Sequence, residues 1–183
     1  MKQDEIKVWD PFVRIFHWLL VLSFTVAWIS GEELITLHAW AGYAVTDLVL
    51  LRLVWGFIGS RHARFSDFVH RPAVVSAYFR ETLRLRARRY LGHNPAGGAM
   101  IVLMLVMLLI TSATGIAVYG IEERAGPLAM LAGSSGAGDE VLEELHEFCA
   151  NFMLLLVLVH IAGVLVESLI HRESLIKAMF NGR

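Results

Sequence analysis

An all-α integral membrane protein, a four-helix bundle with both chain ends cytoplasmic, is the fold class the sequence predicts, and three observations predict it. Of the 183 residues, 56% are hydrophobic and 18% are charged, against about 45–50% and about 25% in an average soluble domain. Four apolar stretches are each long enough for the ~20 residues that cross a hydrocarbon core. The Lys and Arg residues gather on one side of those stretches. The length fits a single domain, residues 1–183. Only 4 Pro, and 15 Gly scattered without a repeat, argue against a collagen-like or disordered chain. One Cys excludes a disulfide scaffold and any multi-thiolate metal site made within one chain. A soluble enzyme is disfavoured, and no nucleic-acid partner is expected.

The first span covers residues 12–31, "FVRIFHWLLVLSFTVAWISG". Its apolar run exceeds the ~7–15 residues of a signal-peptide core, and no small-x-small cleavage site follows. It reads as a retained helix. The second span covers 37–59, the third 99–120 and the fourth 145–170. Between the second and third lies an Arg-rich linker, 60–98, whose 73–85 part suits a short amphipathic helix on the membrane surface. The other connector, 121–144, contains "AGSSGAGDE" and reads as a flexible loop.

Orientation follows from the basic residues. Lys2, Lys7 and Arg14 precede the first span; Arg61, Arg64, Arg71, Arg80, Arg84, Arg86, Arg88 and Arg89 lie in the linker; Arg172, Lys177 and Arg183 follow the fourth span. These leave, of the 16 Lys and Arg, only Arg52 within the second span and Arg124 on the opposite side. Both termini and the linker are therefore expected in the cytoplasm. The opposite face is acidic, with Glu32, Glu33, Glu122, Glu123, Asp139, Glu140, Glu143, Glu144 and Glu147.

Ionisable residues inside membrane spans are costly and mark function by default. His62, His70, His93 and His171 fall in the linker or at the last helix end and read as solvated surface groups. His17, His38, His146 and His160 fall within or at the margins of spans. The topology places His38 and His146 near the outer surface and His17 in the inner half of the first helix. His160 follows His146 by 14 positions, which is about 21 Å deeper and only about 40° from four full turns. The histidines thus sort into an outer pair, His38 with His146, and an inner pair, His17 with His160. Two facing imidazoles at one depth, twice over, are what two bis-histidine hemes require. Zinc usually takes four ligands, or three and a water, and no carboxylate or thiol joins either pair. Without a CxxCH motif the hemes are expected to be non-covalent, hence b-type. For any one of these histidines, a hydrogen bond to a neighbouring helix remains the plain alternative.

Arg52 follows His38 by the same 14 positions, so it lies near the inner level and can pair with a heme propionate; the alternative is a side chain snorkelling to the interface. Asp47 in the same helix is either its partner or a proton-handling group. Gly42, Gly115 and Gly163 are placed where a porphyrin could approach the backbone. Trp9, Trp18, Trp28, Trp40 and Trp55 fit an aromatic belt. Cys149 and the seven Met read as packing.

At these residues the sequence resembles the bacterial cytochrome b561 family and the related cytochrome b subunits of hydrogenase-type complexes. "RIFHW" in the first helix, "HAWAGY" with Arg52 downstream in the second, and "HEFCAN" followed by His160 in the fourth carry the resemblance, in the family's order, over nearly the whole chain. It implies a four-helix bundle in the bacterial cytoplasmic membrane, holding two hemes b on His17, His38, His146 and His160. It also implies electron exchange between membrane quinone and a partner, such as a periplasmic c-type cytochrome or a dehydrogenase or hydrogenase subunit. A homo-oligomer is compatible with it.

Three functions follow. The leading one is a respiratory diheme cytochrome linking quinone to a redox partner, with hemes doing the chemistry and protein setting geometry; the acidic outer face would steer a basic partner. A superoxide oxidase that reduces quinone is the enzymatic alternative, disfavoured because an acidic face repels an anion. A non-redox anchor or transporter is the third.

Overall fold

The computed structural model describes residues 8–31, 33–131 and 137–182. Lys2, Lys7, Glu32, Arg183 and residues 132–136 of the expected loop lie outside the described residues. Four long helices dominate: α1 (Pro11–Ser30), α2 (Ile35–Ile58), α5 (Pro95–Glu122) and α6 (Ala137–His171). All four are long and apolar enough to cross a membrane. Shorter helices α3 (Phe65–Phe68) and α4 (Pro72–Leu83) lie between α2 and α5, and α7 (Leu175–Asn181) follows α6. Among the described residues there is no strand.

Local chemistry explains the ends. Asp10 Oδ1 accepts the Val13 amide at 2.9 Å, and Asn94 Oδ1 accepts the Gly97 amide at 2.7 Å. Each cap is followed by Pro, at 11 and 95, whose missing N–H costs nothing at a helix's first position. Ser174 caps α7 through Lys177 at 3.2 Å, and Gly182 ends it at φ 83°, where a side chain would be strained.

Two boundaries depart from the sequence expectation. α6 begins at Ala137, eight residues before the apolar run at 145. Its first turn carries Asp139 and Glu140, which favour the positive end of the helix dipole, so part of the expected loop is helical. α5 likewise starts at Pro95 instead of 99, because the Asn94 cap and not the apolar pattern sets its origin. The short helix expected over 73–85 is found as α4, Pro72–Leu83.

The chain divides into two compact units, each holding a segment of all four long helices. Unit 1 comprises Met1–His17, Leu51–Leu103 and Leu156–Arg183. Within it both described ends of the chain meet: the Val8 amide donates to the Gly182 carbonyl at 2.9 Å, and Arg14 bonds the Phe180 carbonyl. Every described Lys and Arg except Arg124 belongs to this unit. Asp10 ties it together, accepting from the Trp55 indole at 3.3 Å and from the Ser60 hydroxyl, while Trp55 stacks on Phe12 with ring centres 4.5 Å apart. Trp9 and Trp55 therefore serve packing within this unit as well as any interfacial role.

Burial raises the Asp10 pKa, but the Ser60 hydroxyl, the Val13 amide, the Trp55 indole and the Phe12 amide outweigh it and hold the carboxyl below its ordinary value. Its contribution to stability is thus present above the ordinary carboxylate pKa and is lost as pH falls through the lower folded value. Asp10→Asn should cost about 1–3 kcal/mol at neutral pH, the usual penalty for disrupting a partly buried charged hydrogen-bond centre. Its thermal unfolding in detergent should also depend less on pH below about 4 than that of the parent. Equal pH profiles would refute the role.

Unit 2 comprises Trp18–Leu50 and Met104–Leu155. Ala41, Val45, Val49, Leu105, Leu108, Cys149 and Met153 are buried in it. Cys149 is a free thiol, in keeping with a packing role. Apart from Arg124, its described charges are acidic. Ile29, Trp40 and Phe57 are strongly exposed on the long helices, which suits side chains whose solvent is hydrocarbon.

Candidate cofactor sites: two histidine pairs

In unit 2, α2 and α6 bring His38 and His146 together with ring centres 6.1 Å apart and ring planes at 86°. Each imidazole is held by its Nδ1. His38 Nδ1–H donates to the Ala27 carbonyl at 2.9 Å. His146 Nδ1–H is shared between the Thr111 carbonyl and Thr114 Oγ1, both at 3.1 Å. In this tautomer the Nε2 lone pair of both rings is left to bind a metal, the usual arrangement of a ligating histidine whose second nitrogen is anchored. With metal–nitrogen bonds of about 2 Å, an iron between two imidazoles sets their centres about 6 Å apart. The donor set and the spacing both fit a bis-histidine heme.

Gly115 is part of the fit. A Cβ there would lie 2.7 Å from His146 Cε1, so α5 can carry no side chain at this position without displacing the ring. The glycine makes room for the His146 imidazole. Gly42 and Gly163 have open space where a Cβ would stand.

In unit 1, His17 of α1 and His160 of α6 are half-buried and within electrostatic reach of one another. Arg52, in the same unit, is only 2% exposed. Its Nη2 donates to the Ala63 carbonyl at 3.0 Å, and its guanidinium lies 5.4 Å and 5.9 Å from the ring centres of Phe65 and Phe68. The 3-10 turn Arg61–Ala63 and helix α3 thus fold over it, and the snorkelling alternative is excluded. Nη1 is buried and has no hydrogen-bond partner. Asp47 is exposed and makes no ion pair among the described residues, so it is not the Arg52 partner. Among the described residues no group of three or more His, Cys, Asp or Glu could hold a metal ion.

The four histidines expected to be solvated are all half-buried instead. His62 Nδ1 bonds Asp67 at 3.0 Å, and His70 Nδ1 donates to the Phe68 carbonyl at 2.9 Å. His171 Nε2 lies 3.1 Å from Glu167, a buried carboxylate that also accepts the Tyr78 hydroxyl at 3.2 Å. Burial first, then the neighbouring carboxylate, holds the Tyr78 hydroxyl above its ordinary range, so it remains a donor. His93 departs furthest. Its ring packs at 4.6 Å against Trp9 and 4.7 Å against Phe68, and burial, then Arg52, pushes its pKa down to about 3. It is a neutral imidazole at physiological pH.

Sequence reasoning did not find the Thr114 hydroxyl, a partner of His146, although a threonine in the apolar run "LLITSATG" was a visible signal, nor the Thr111 carbonyl. The Ala27 and Ala63 carbonyls left none, because any residue supplies a carbonyl.

Long apolar helices carrying paired, anchored imidazoles define a class: a multi-pass membrane protein with the ligand chemistry of a b-type cytochrome. The chain belongs to the prokaryotic cytochrome b561 family, whose model matches residues 8–182. It is similar to the probable Ni/Fe-hydrogenase B-type cytochrome subunit of Azotobacter vinelandii, 28% identical over 99% of this chain and 89% of the relative. The protein of the same description from Rhizobium leguminosarum bv. viciae is 26% identical over 100% and 90%. The probable Ni/Fe-hydrogenase 1 B-type cytochrome subunit of Escherichia coli K12 is 29% identical over 61% and 59%. No solved structure matches the chain. Family membership implies heme b and electron transfer in a membrane.

Proposed function

We propose that this chain is a diheme cytochrome of the bacterial cytoplasmic membrane that passes electrons between membrane quinone and a redox partner. The observation that carries the reading is the His38–His146 pair, with each Nδ1 anchored and the ring centres 6.1 Å apart. His17 and His160 form the second pair, supported by their shared unit and mutual electrostatic reach. Heme b, when bound, supplies one-electron chemistry at its iron. The rest is the work of the chain. Ala27, Thr111 and Thr114 fix ring orientation and tautomer, and bis-histidine ligation leaves no coordination site for oxygen. Arg52, buried in the same unit as the second pair, offers a fixed positive charge to a propionate.

The relatives' descriptions favour a hydrogenase subunit as partner, with a periplasmic c-type cytochrome as the other candidate. The acidic residues of unit 2, among them Glu123, Asp139, Glu140 and Glu143, would draw a basic patch by long-range attraction that salt weakens. Both termini and the Arg-rich linker are assigned to the cytoplasm from the clustering of basic residues in unit 1. In liposomes, hemes reduced beforehand should be reoxidised within seconds by a short-chain quinone, and H₂ with the cognate hydrogenase should reduce them again. Hemes inert to quinone would overturn the quinone link. Hemes reduced by a cytochrome c but never by hydrogenase would reassign the partner.

A further inference from the structure

The linker histidine His93 has no role in the reading above, yet it sits where a solvated residue would not. The stretch "GHNP" builds the turn that puts it there. Gly92 takes φ 84°, Asn94 caps α5 and Pro95 starts the helix. Between them His93 is turned inward against Trp9 and Phe68. Phe68, fully buried, carries His93 on its ring at 4.7 Å and the Arg52 guanidinium at 5.9 Å. Both groups present a buried nitrogen without a hydrogen-bond partner: Nη1 of Arg52 and Nδ1 of His93. Buried polar atoms are almost always paired, and a buried cation without a counter-charge is costlier still. No ion pair of Arg52 exists among the described residues. The Asp10 and Asp67 carboxylates act on Arg52 and His93 only through space, so both orphan nitrogens still lack a direct acceptor, and a negative one suits the buried guanidinium. A carboxylate is both, and its two oxygens can take one donor each. His160 lies within electrostatic reach of His93, in the same unit as His17.

We propose that Arg52 and His93 together form a two-point carboxylate site that holds a propionate of the heme carried by His17 and His160. The assignment rests on the diheme reading. It makes His93 a cofactor-binding residue that contributes a neutral N–H while Arg52 contributes the charge. A neutral donor suits the second position, because two cations against one carboxylate would leave a net buried charge.

The test follows heme transfer from purified holoprotein to excess apomyoglobin, with pyridine hemochrome counting hemes per chain beforehand. In the parent, two hemes should leave in two phases. His93→Phe should speed one phase about tenfold, the order expected for losing a hydrogen bond to a charged group, and His93→Gln, which keeps a donor, should restore the rate to within about twofold. The same acceleration should appear in a His38→Ala background, which retains the inner heme, and be absent from His17→Ala, which retains the outer one. Where His93→Phe fails to accumulate, the parent apoprotein reconstituted with protoheme dimethyl ester decides. Retention of the ester at one site only supports the carboxylate clamp, and equal retention at both overturns it. A parent with fewer than two hemes defeats the diheme reading itself. Two hemes with unchanged release from His93→Phe defeats this assignment alone, and an effect confined to the His17→Ala background places His93 at the wrong heme.

Discussion

Substituting His146 by Ala should lower heme content from about two per chain to about one and leave the remaining heme low-spin. On the proposed reading the His146 imidazole would be one of the iron's two protein ligands, and the polar groups that touch it, the Thr111 carbonyl and the Thr114 hydroxyl, face its Nδ1 and not its Nε2. His38→Ala should give the same result, because its ring stands opposite in the same pair, and the double variant should be no worse than either single one. The check is a pyridine hemochrome assay against protein mass. A double variant that loses both hemes while the singles lose one would mean that the two histidines serve different sites.

The second large effect needs no change of ligand. Gly115→Val should remove the same heme, because a Cβ at this position already falls 2.7 Å from His146 Cε1 and the branched side chain adds volume in the same place. The ring must tilt, breaking its Nδ1 bonds to Thr111 and Thr114 and turning Nε2 off the axis. Gly138→Ala, on the same helix as His146 but with open space around its added Cβ, is the control and should keep both hemes. Full heme content and unshifted spectra in Gly115→Val would show that α5 yields to the ring, and that the glycine carries no constraint.

Much of this was legible in the sequence because membrane helices declare themselves by uninterrupted apolar runs, and a histidine in such a run is conspicuous. The structure brings His38 to His146, as helical rise and orientation had indicated. Other features depend on contacts between residues far apart in the chain. Arg52 reads as a propionate partner with a snorkelling side chain as the alternative, and only the turn at Arg61–Ala63 and the rings of Phe65 and Phe68 closing over it decide against the alternative. His93 reads as one more polar residue of an Arg-rich linker until the Gly92 turn carries it against Trp9, which lies 84 positions earlier in the chain. The early start of α6 escaped because apolar periodicity marks the part of a helix that meets hydrocarbon, whereas its first turn carries Asp139 and Glu140, which suit the positive end of the dipole. Gly115 was singled out as a place of close approach, but spacing did not show that the His146 ring is what stands against it.

The central claim is that one chain holds two bis-histidine hemes b. It is tested most directly by hemochrome quantitation on the purified protein, combined with low-temperature electron paramagnetic resonance of the oxidised form. The account predicts about two protohemes per chain, all low-spin, with no high-spin signal. A single heme per chain, or a substantial high-spin fraction showing an iron that lacks its second imidazole, would contradict it.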